Sequence, residues 1–225
     1  MKKSIMLALV ALLCLLLPLG VAAEKLTSCS VVADPVAILA GETVTVNIRI
    51  ADNPGFTNLA IALDYDRSHL TLKSLEPADA LTGGSVSVNE IWKDGDKDYG
   101  YVVCASNEPI KSDGILFTAT FAVADGFLGD AQVTPKVLYI RNNEAVFSVF
   151  EEIRSAVTPC VATSVLAGDV TSDGKIEYND VMLAYKAFLK EADLTASQLA
   201  AVDTNRNGTV EEAEYRAVYT IYIGG

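Results

Sequence analysis

Asp169-Val-Thr171-Ser-Asp173-Gly174-Lys175-Ile176-Glu177-Tyr-Asn-Asp180 is written a second time as Asp203-Thr-Asn205-Arg-Asn207-Gly208-Thr209-Val210-Glu211-Glu-Ala-Glu214. In both copies oxygen-bearing residues fall at loop positions 1, 3, 5, 9 and 12, with glycine at 6 and an aliphatic residue at 8. That is the ligand spacing of a calcium loop, in which side-chain oxygens alternate along a tight turn and a carboxylate at position 12 closes the shell. Position 7, here Lys175 and Thr209, supplies a backbone carbonyl in such loops. The expected ligand sets are Asp169, Thr171, Asp173, Lys175, Glu177 and Asp180, then Asp203, Asn205, Asn207, Thr209, Glu211 and Glu214, for two calcium ions.

The repeat runs on past the loops. At a spacing of 34 residues, Val181, Ala184, Tyr185, Phe188 and Leu189 align with Tyr215, Val218, Tyr219, Tyr222 and Ile223. Apolar residues at i, i+3, i+4, i+7 and i+8 predict an amphipathic helix after each loop. Chance accounts for one acidic loop; it does not account for two that share a glycine, a closing carboxylate and a following helix. Thr195-Ala-Ser-Gln198 reads as a capping-box start for a short connecting helix through Val202.

Upstream, the sequence changes period. Val44, Val46, Ile48 and Ile50 alternate with polar residues in Thr43–Ile50, the signature of a half-buried strand. Further strand candidates are Leu59–Tyr65, Leu70–Leu75, Val86–Ile91, Tyr99–Ala105, Ile115–Val123, Gln132–Ile140, Ala145–Phe150 and Ala156–Val161, with turn residues between them. Eight or nine short strands at this spacing predict a β-sandwich. The expected division is residues 1–23 as a signal peptide, 24–162 as the sandwich, 163–167 as a short linker and 168–225 as the calcium module.

The N-terminus has Lys2 and Lys3, an apolar run from Ile5 to Leu17, Pro18, and then Val21-Ala22-Ala23. This is the order of a secretory signal, with Glu24 as the first mature residue; a retained anchor is the alternative, for which the run is short. Cleavage would take the formal charge from −12 to −14, which argues against nucleic acid or anionic membranes as partners. Three cysteines would remain, Cys29, Cys104 and Cys160. Export permits a disulfide, with Cys29–Cys160 the expected pair and Cys104 a buried thiol, or no bridge at all.

Little else in the chain invites chemistry. Asp94, Asp96 and Asp98 alternate, but position 12 counted from Asp94 is Ala105, so a solvated hairpin turn is expected. His69 is the only histidine and falls in a loop, which gives neither an ordinary zinc set nor a nucleophile arrangement. A carboxylate-pair glycosidase is disfavoured because the strands leave little chain for a cleft.

Three short motifs in order resemble cohesin modules. They are Ala40-Gly41-Glu42-Thr43-Val44-Thr45-Val46, then Leu63-Asp64-Tyr65-Asp66 with Leu70-Thr71-Leu72, then Ser112-Asp113-Gly114-Ile115-Leu116 through Phe121-Ala-Val123. The paired calcium loops are similar to dockerin, the partner module of cohesins, in a type I-like form. The resemblance implies a mainly β fold, a nine-stranded jelly-roll sandwich, followed by a small α-helical module of paired EF-hand-like loops. It implies a secreted, non-catalytic adaptor or scaffoldin of a cellulosome-type complex. Its cohesin would bind a dockerin-bearing protein such as a polysaccharide-degrading enzyme, and its own dockerin would dock on another cohesin. Carried over by position, the recognition residues are Tyr178, Asn179 and Lys186 in the first repeat and Glu212, Ala213 and Thr220 in the second. Thr171 departs from the usual Asn or Asp at position 3, Glu214 from the usual Asp at position 12, and no helix precedes either loop. The alternative is a carbohydrate-binding or adhesive surface protein, although the tyrosines and Trp92 show no row on one strand.

Overall fold

The computed structural model describes residues 28–94, 97–144, 149–152 and 154–224. The expected signal peptide, 1–23, lies outside the described residues.

Twelve strand segments are described: β1 Ser28–Ala33, β2 Val36–Leu39, β3 Thr43–Ala51, β4 Phe56–Tyr65, β5 Leu70–Pro77, β6 Ser85–Asp94, β7 Lys97–Ile110, β8 Gly114–Val123, β9 Gly129–Glu144, β10 Val149–Glu152, β11 Arg154–Thr158 and β12 Cys160–Val165. They form two sheets. One runs β11-β1-β3-β8-β5 and the other β2-β12-β9-β4-β7-β6, with β10 paired to β9. Alternation explains the packing. Val44, Val46, Ile48 and Ile50 of β3 are all 1 % exposed or less, and they meet Phe117, Ala119 and Phe121 of β8 with Leu59, Ile61 and Leu63 of β4 in one core. A two-sheet sandwich is thus present as expected, with twelve described strand segments where nine strands were expected.

The differences lie at the edges. Ser28–Ala33 and Val36–Leu39 are strands that the sequence did not announce, and the expected strand Ala156–Val161 is divided between β11 and β12. β11 pairs in parallel with β1, whereas β12 crosses to the other sheet between β2 and β9. The expected linker 163–167 is corrected: Thr163, Ser164 and Val165 pair with Ala37, Ile38 and Leu39. Ser164 stays inside the strand because its hydroxyl donates to the Phe127 carbonyl at 2.8 Å.

The calcium module holds three helices: α1 Tyr178–Phe188, α2 Ala196–Ala200 and α3 Glu212–Gly224. α2 starts on the expected capping box. Gln198 N–H donates to Thr195 Oγ1 at 3.3 Å, and Thr195 N–H donates to Gln198 Oε1 at 3.0 Å. Val170, Val181, Ala184, Val202 and Val218 form a second, smaller core. Only part of the predicted apolar stripe is buried. Tyr219 is 49 % exposed and Ile223 60 %, with Tyr185, Leu189 and Tyr222 exposed beside them. The three-helix module has no second layer to cover that side.

Candidate functional site: paired calcium loops and a tyrosine-lined sheet face

Each loop is organised by its first residue. Asp169 accepts backbone N–H donors from Asp173 at 3.0 Å and Gly174 at 2.8 Å. Asp203 repeats the pattern with Asn207 at 3.2 Å and Gly208 at 2.8 Å. The chain turns through left-handed conformations at Ser172 (φ 61°) and Gly174 (φ 83°), and again at Arg206 (φ 58°) and Gly208 (φ 81°). A Cβ at either glycine would meet nothing within 4 Å, so backbone conformation, and not space, requires glycine at position 6.

The closing carboxylates tie loop to helix. Asp180 accepts from Thr171 N–H and Glu177 N–H, both at 2.7 Å; Glu214 accepts from Asn205 N–H at 3.2 Å and Glu211 N–H at 3.1 Å. Asp169, Asp180, Asp203 and Glu214 are all buried, at 6 % exposure or less. Four buried carboxylates without a cation nearby are costly, since a buried charge is tolerated when paired or bound to metal.

The donors suit a hard cation that takes oxygen ligands. Thr171 Oγ1 is buried and has no hydrogen-bond partner, which is the condition of a ligand oxygen facing an ion. The second loop is more self-contained. Asn205 and Asn207 each direct an amide N–H to Glu211 at 3.2 Å, and Asn207 Oδ1 accepts from Thr209 N–H at 2.9 Å. Lys175 and Thr209 occupy position 7, where the ligand atom is the main-chain carbonyl. Among the described residues no preassembled group of three or more His, Cys, Asp or Glu side chains is present; each loop would complete its shell with hydroxyl, amide and carbonyl oxygens.

All six carried-over recognition residues are exposed, but they differ in their ties. Glu212 is bound by Arg216 at 2.7 Å, and the Thr220 hydroxyl donates to the Arg216 carbonyl at 2.9 Å. Among the described residues no hydrogen bond or ion pair engages the side chains of Tyr178, Asn179 and Lys186.

The seven-stranded sheet carries a second surface that the sequence did not reveal. Ala60 and Ala62 point away from the core and form a small-residue floor between Val103, Tyr101, Tyr139 and Lys136 on neighbouring strands. Tyr99 and Tyr101 of β7 and Tyr139 of β9 therefore share one face across two strands, although they form no row on a single strand. Two-residue spacing on β7 was the available signal for Tyr99 and Tyr101; Tyr139 needs the strand register. Arg141 lies over the Tyr139 ring at 4.9 Å, while Arg67 and Lys136 lie over Tyr99 at 5.3 and 5.1 Å. Burial, then Tyr139, hold the Tyr101 hydroxyl above its usual pKa.

The structure does not bring Cys29 and Cys160 together. Among the described residues, Cys29, Cys104 and Cys160 are buried free thiols. Cys29 feels Asp113 and Asp52, whereas Cys160 feels Asp34 at the opposite end of β1. Burial first, then these carboxylates, push both thiols up to about 11. The hairpin at Asp94 is borne out in the backbone, with Asp94 opposite Lys97. Asp96 lies outside the described residues, as do the side chains of Trp92, Asp94 and Asp98.

His69 proves less isolated than its loop position implies. Its Nδ1 lies 2.9 Å from Asp66 and 3.1 Å from Ser68 Oγ, and its ring stacks on Phe127 at 3.8 Å. Hydrogen bonds from Ser68 and His69 hold Asp66 down at about 2. Ser and Asp share one ring nitrogen, so the histidine cannot relay a proton between them as a catalytic triad does. These three residues close a turn.

A two-sheet sandwich is joined here to a pair of loops with calcium-ligand spacing, the architecture of a modular binding protein. The chain belongs to the cohesin family: the Cohesin domain matches residues 30–144, and a Dockerin type I domain matches residues 167–219. Both are non-catalytic interaction modules, and dockerin type I domains bind calcium. No curated protein matches the sequence. The fold is similar to the seventh ScaB type I cohesin from Pseudobacteroides cellulosolvens, at 20 % identity and TM-score 0.54 over 63 % of this chain and 94 % of that one. It is also similar to a chain of the type I cohesin–dockerin complex Coh-OlpA-Doc918 from Clostridium thermocellum, at 15 % identity and TM-score 0.51 over 62 % and 100 %.

Proposed function

We propose that this chain is a secreted, non-catalytic adaptor of a cellulosome-type complex with two ends of opposite kind. The sandwich receives the dockerin of another protein. The chain's own dockerin, holding two calcium ions, engages a cohesin of a separate scaffold. Asp169, Thr171, Asp173, the Lys175 carbonyl, Glu177 and Asp180 hold one ion; Asp203, Asn205, Asn207, the Thr209 carbonyl, Glu211 and Glu214 hold the other. Calcium neutralises carboxylates that would otherwise repel one another, and so favours the folded module, whose own core is small.

The observation that carries this reading is the orientation of the calcium module. It meets the sandwich through α2, leaving Tyr178, Asn179 and Lys186 on α1 and Glu212, Ala213 and Thr220 on α3 exposed. The dockerin therefore does not cap the tyrosine-lined face of its own sandwich, and both ends stay accessible. That face is assigned to the incoming dockerin. Its apolar centre of Ala60, Ala62 and Val103 is rimmed by Lys136, Arg141 and Arg67, the last ion-paired to Asp64 at 3.1 Å.

The carbohydrate-binding alternative is weaker on the same residues. A sugar stacks on an open aromatic ring, whereas Tyr99 is 5 % exposed under two cations and Tyr139 lies beneath Arg141. Capture assays against a panel of dockerins, a panel of cohesins and insoluble polysaccharides separate the readings. Calcium-dependent retention by protein partners is expected, and retention by polysaccharide alone would reverse the assignment.

A further inference from the structure

β2 is four residues long and pairs only with β12, so its outer edge would present unpaired backbone groups. The calcium module covers this edge. α2 packs on β2 and β12, and a groove of about 530 Å³ between the modules is lined by Ala37, Leu39 and Glu42 on one side and Ser197, Asp203 and Arg206 on the other. Arg206 forms an ion pair with Glu42 across the contact. The covalent connection is equally tight: Ala40 N–H donates to the Val165 carbonyl at 2.9 Å, and Gly168 N–H donates to the Ala201 carbonyl at 2.8 Å.

Beside α2, the second calcium loop also reaches the sandwich, through Arg206. Asp203 is its position 1, and Arg206 is its position 4, between the expected ligands Asn205 and Asn207. Arg206 reaches Glu42 from the same left-handed conformation that turns the loop around its ion. Contact with the sandwich and capture of calcium thus select one loop shape. Two ligands that prefer the same conformation must favour each other's binding, and by the same factor.

We propose that the β2–β12 edge is a docking surface in cis for the second calcium repeat: it tightens calcium binding there, and calcium in turn locks the two modules into one body. This rests on the reading of Asp203–Glu214 as a calcium loop. The Arg206 and Glu42 side chains are 61 % and 42 % exposed, so the ion pair alone accounts for a modest factor, up to about fivefold, that shrinks with added salt. Half-buried Ala37 and Leu39, which face α2 across the groove, supply the remaining contact.

The test uses the full chain and calcium ion alone. Chelator-competition titration of wild type, Glu42→Lys and Ala37→Glu reads the product of the two calcium constants, and X-ray scattering reads the radius with calcium and with EGTA. Both variants lie on the sandwich, outside the loops. Weakening of about two- to fivefold for Glu42→Lys is expected, with recovery in the exchanged pair Glu42→Arg with Arg206→Glu. A larger radius in EGTA for wild type, and already in calcium for Ala37→Glu, is expected too. Unchanged calcium constants in both variants would overturn the coupling while leaving the calcium sites standing. Failure of wild type to bind calcium would overturn both.

Discussion

Thr171 and Asp180 meet across the first loop: the Thr171 N–H donates to Asp180 Oδ1 at 2.7 Å, while the Thr171 hydroxyl is buried without a partner. A buried unsatisfied hydroxyl destabilises a fold by about 1–3 kcal/mol, and a calcium ion in the loop would supply the missing partner. Thr171→Val therefore has opposite effects in the two states. Without calcium the variant should be more stable than wild type, by about 1 kcal/mol in chemical denaturation. With calcium it should be less stable, with weaker binding at the first site. Equal stability shifts in both conditions would show that the hydroxyl is no ligand.

Recognition should be led by the first repeat. Tyr178, Asn179 and Lys186 have no ties among the described residues, whereas Arg216 engages both Glu212 and Thr220 locally. Replacing Tyr178 and Asn179 by the Glu and Ala of the second repeat should abolish cohesin binding. Replacing Glu212 and Ala213 by Tyr and Asn should leave it within about threefold, and calorimetry with a bound cohesin reads both.

The tyrosine-lined face should carry the other partner. Tyr139→Ala opens the centre of that face and removes the ring beneath Arg141. Dockerin capture by the sandwich should fall at least about tenfold, with the chain's own dockerin still binding its cohesin. Loss of both activities would point to a folding defect, which circular dichroism of the same sample detects.

The cysteines should behave as core residues. With Cys29 and Cys160 at about 11, only about one thiol in a thousand is ionised at pH 8. Alkylation of the folded chain should be slow and should become complete on unfolding. The raised values also set a pH trend: the stability they represent is full below pH 9, the unfolded value, and is lost as pH rises toward 11. Rapid labelling at pH 8 without unfolding would place these thiols at the surface.

Local signals carried most of the fold. Alternation marked β3 and β8, and the loops declared themselves because each ligand is fixed by spacing within twelve residues. What escaped depends on distant pairing. Val36–Leu39 has too few residues to show a period, and Thr163-Ser164-Val165 looks like a polar linker until β2 and Phe127 satisfy its backbone and hydroxyl. Ala60 and Ala62 read as ordinary strand positions, and only register shows them flooring a tyrosine-lined face. Glu42 and Arg206 are 164 residues apart, beyond any local pattern.

The central claim is that one chain holds two different partners at once, and light scattering in calcium tests it most directly. The full chain is mixed with a cohesin that retains its dockerin and with a dockerin-bearing protein that its sandwich captures. A single particle containing one copy of each is predicted. Mutually exclusive binding, or a ladder of self-assembled chains in which the dockerin fills the sandwich face of the next copy, would contradict the account.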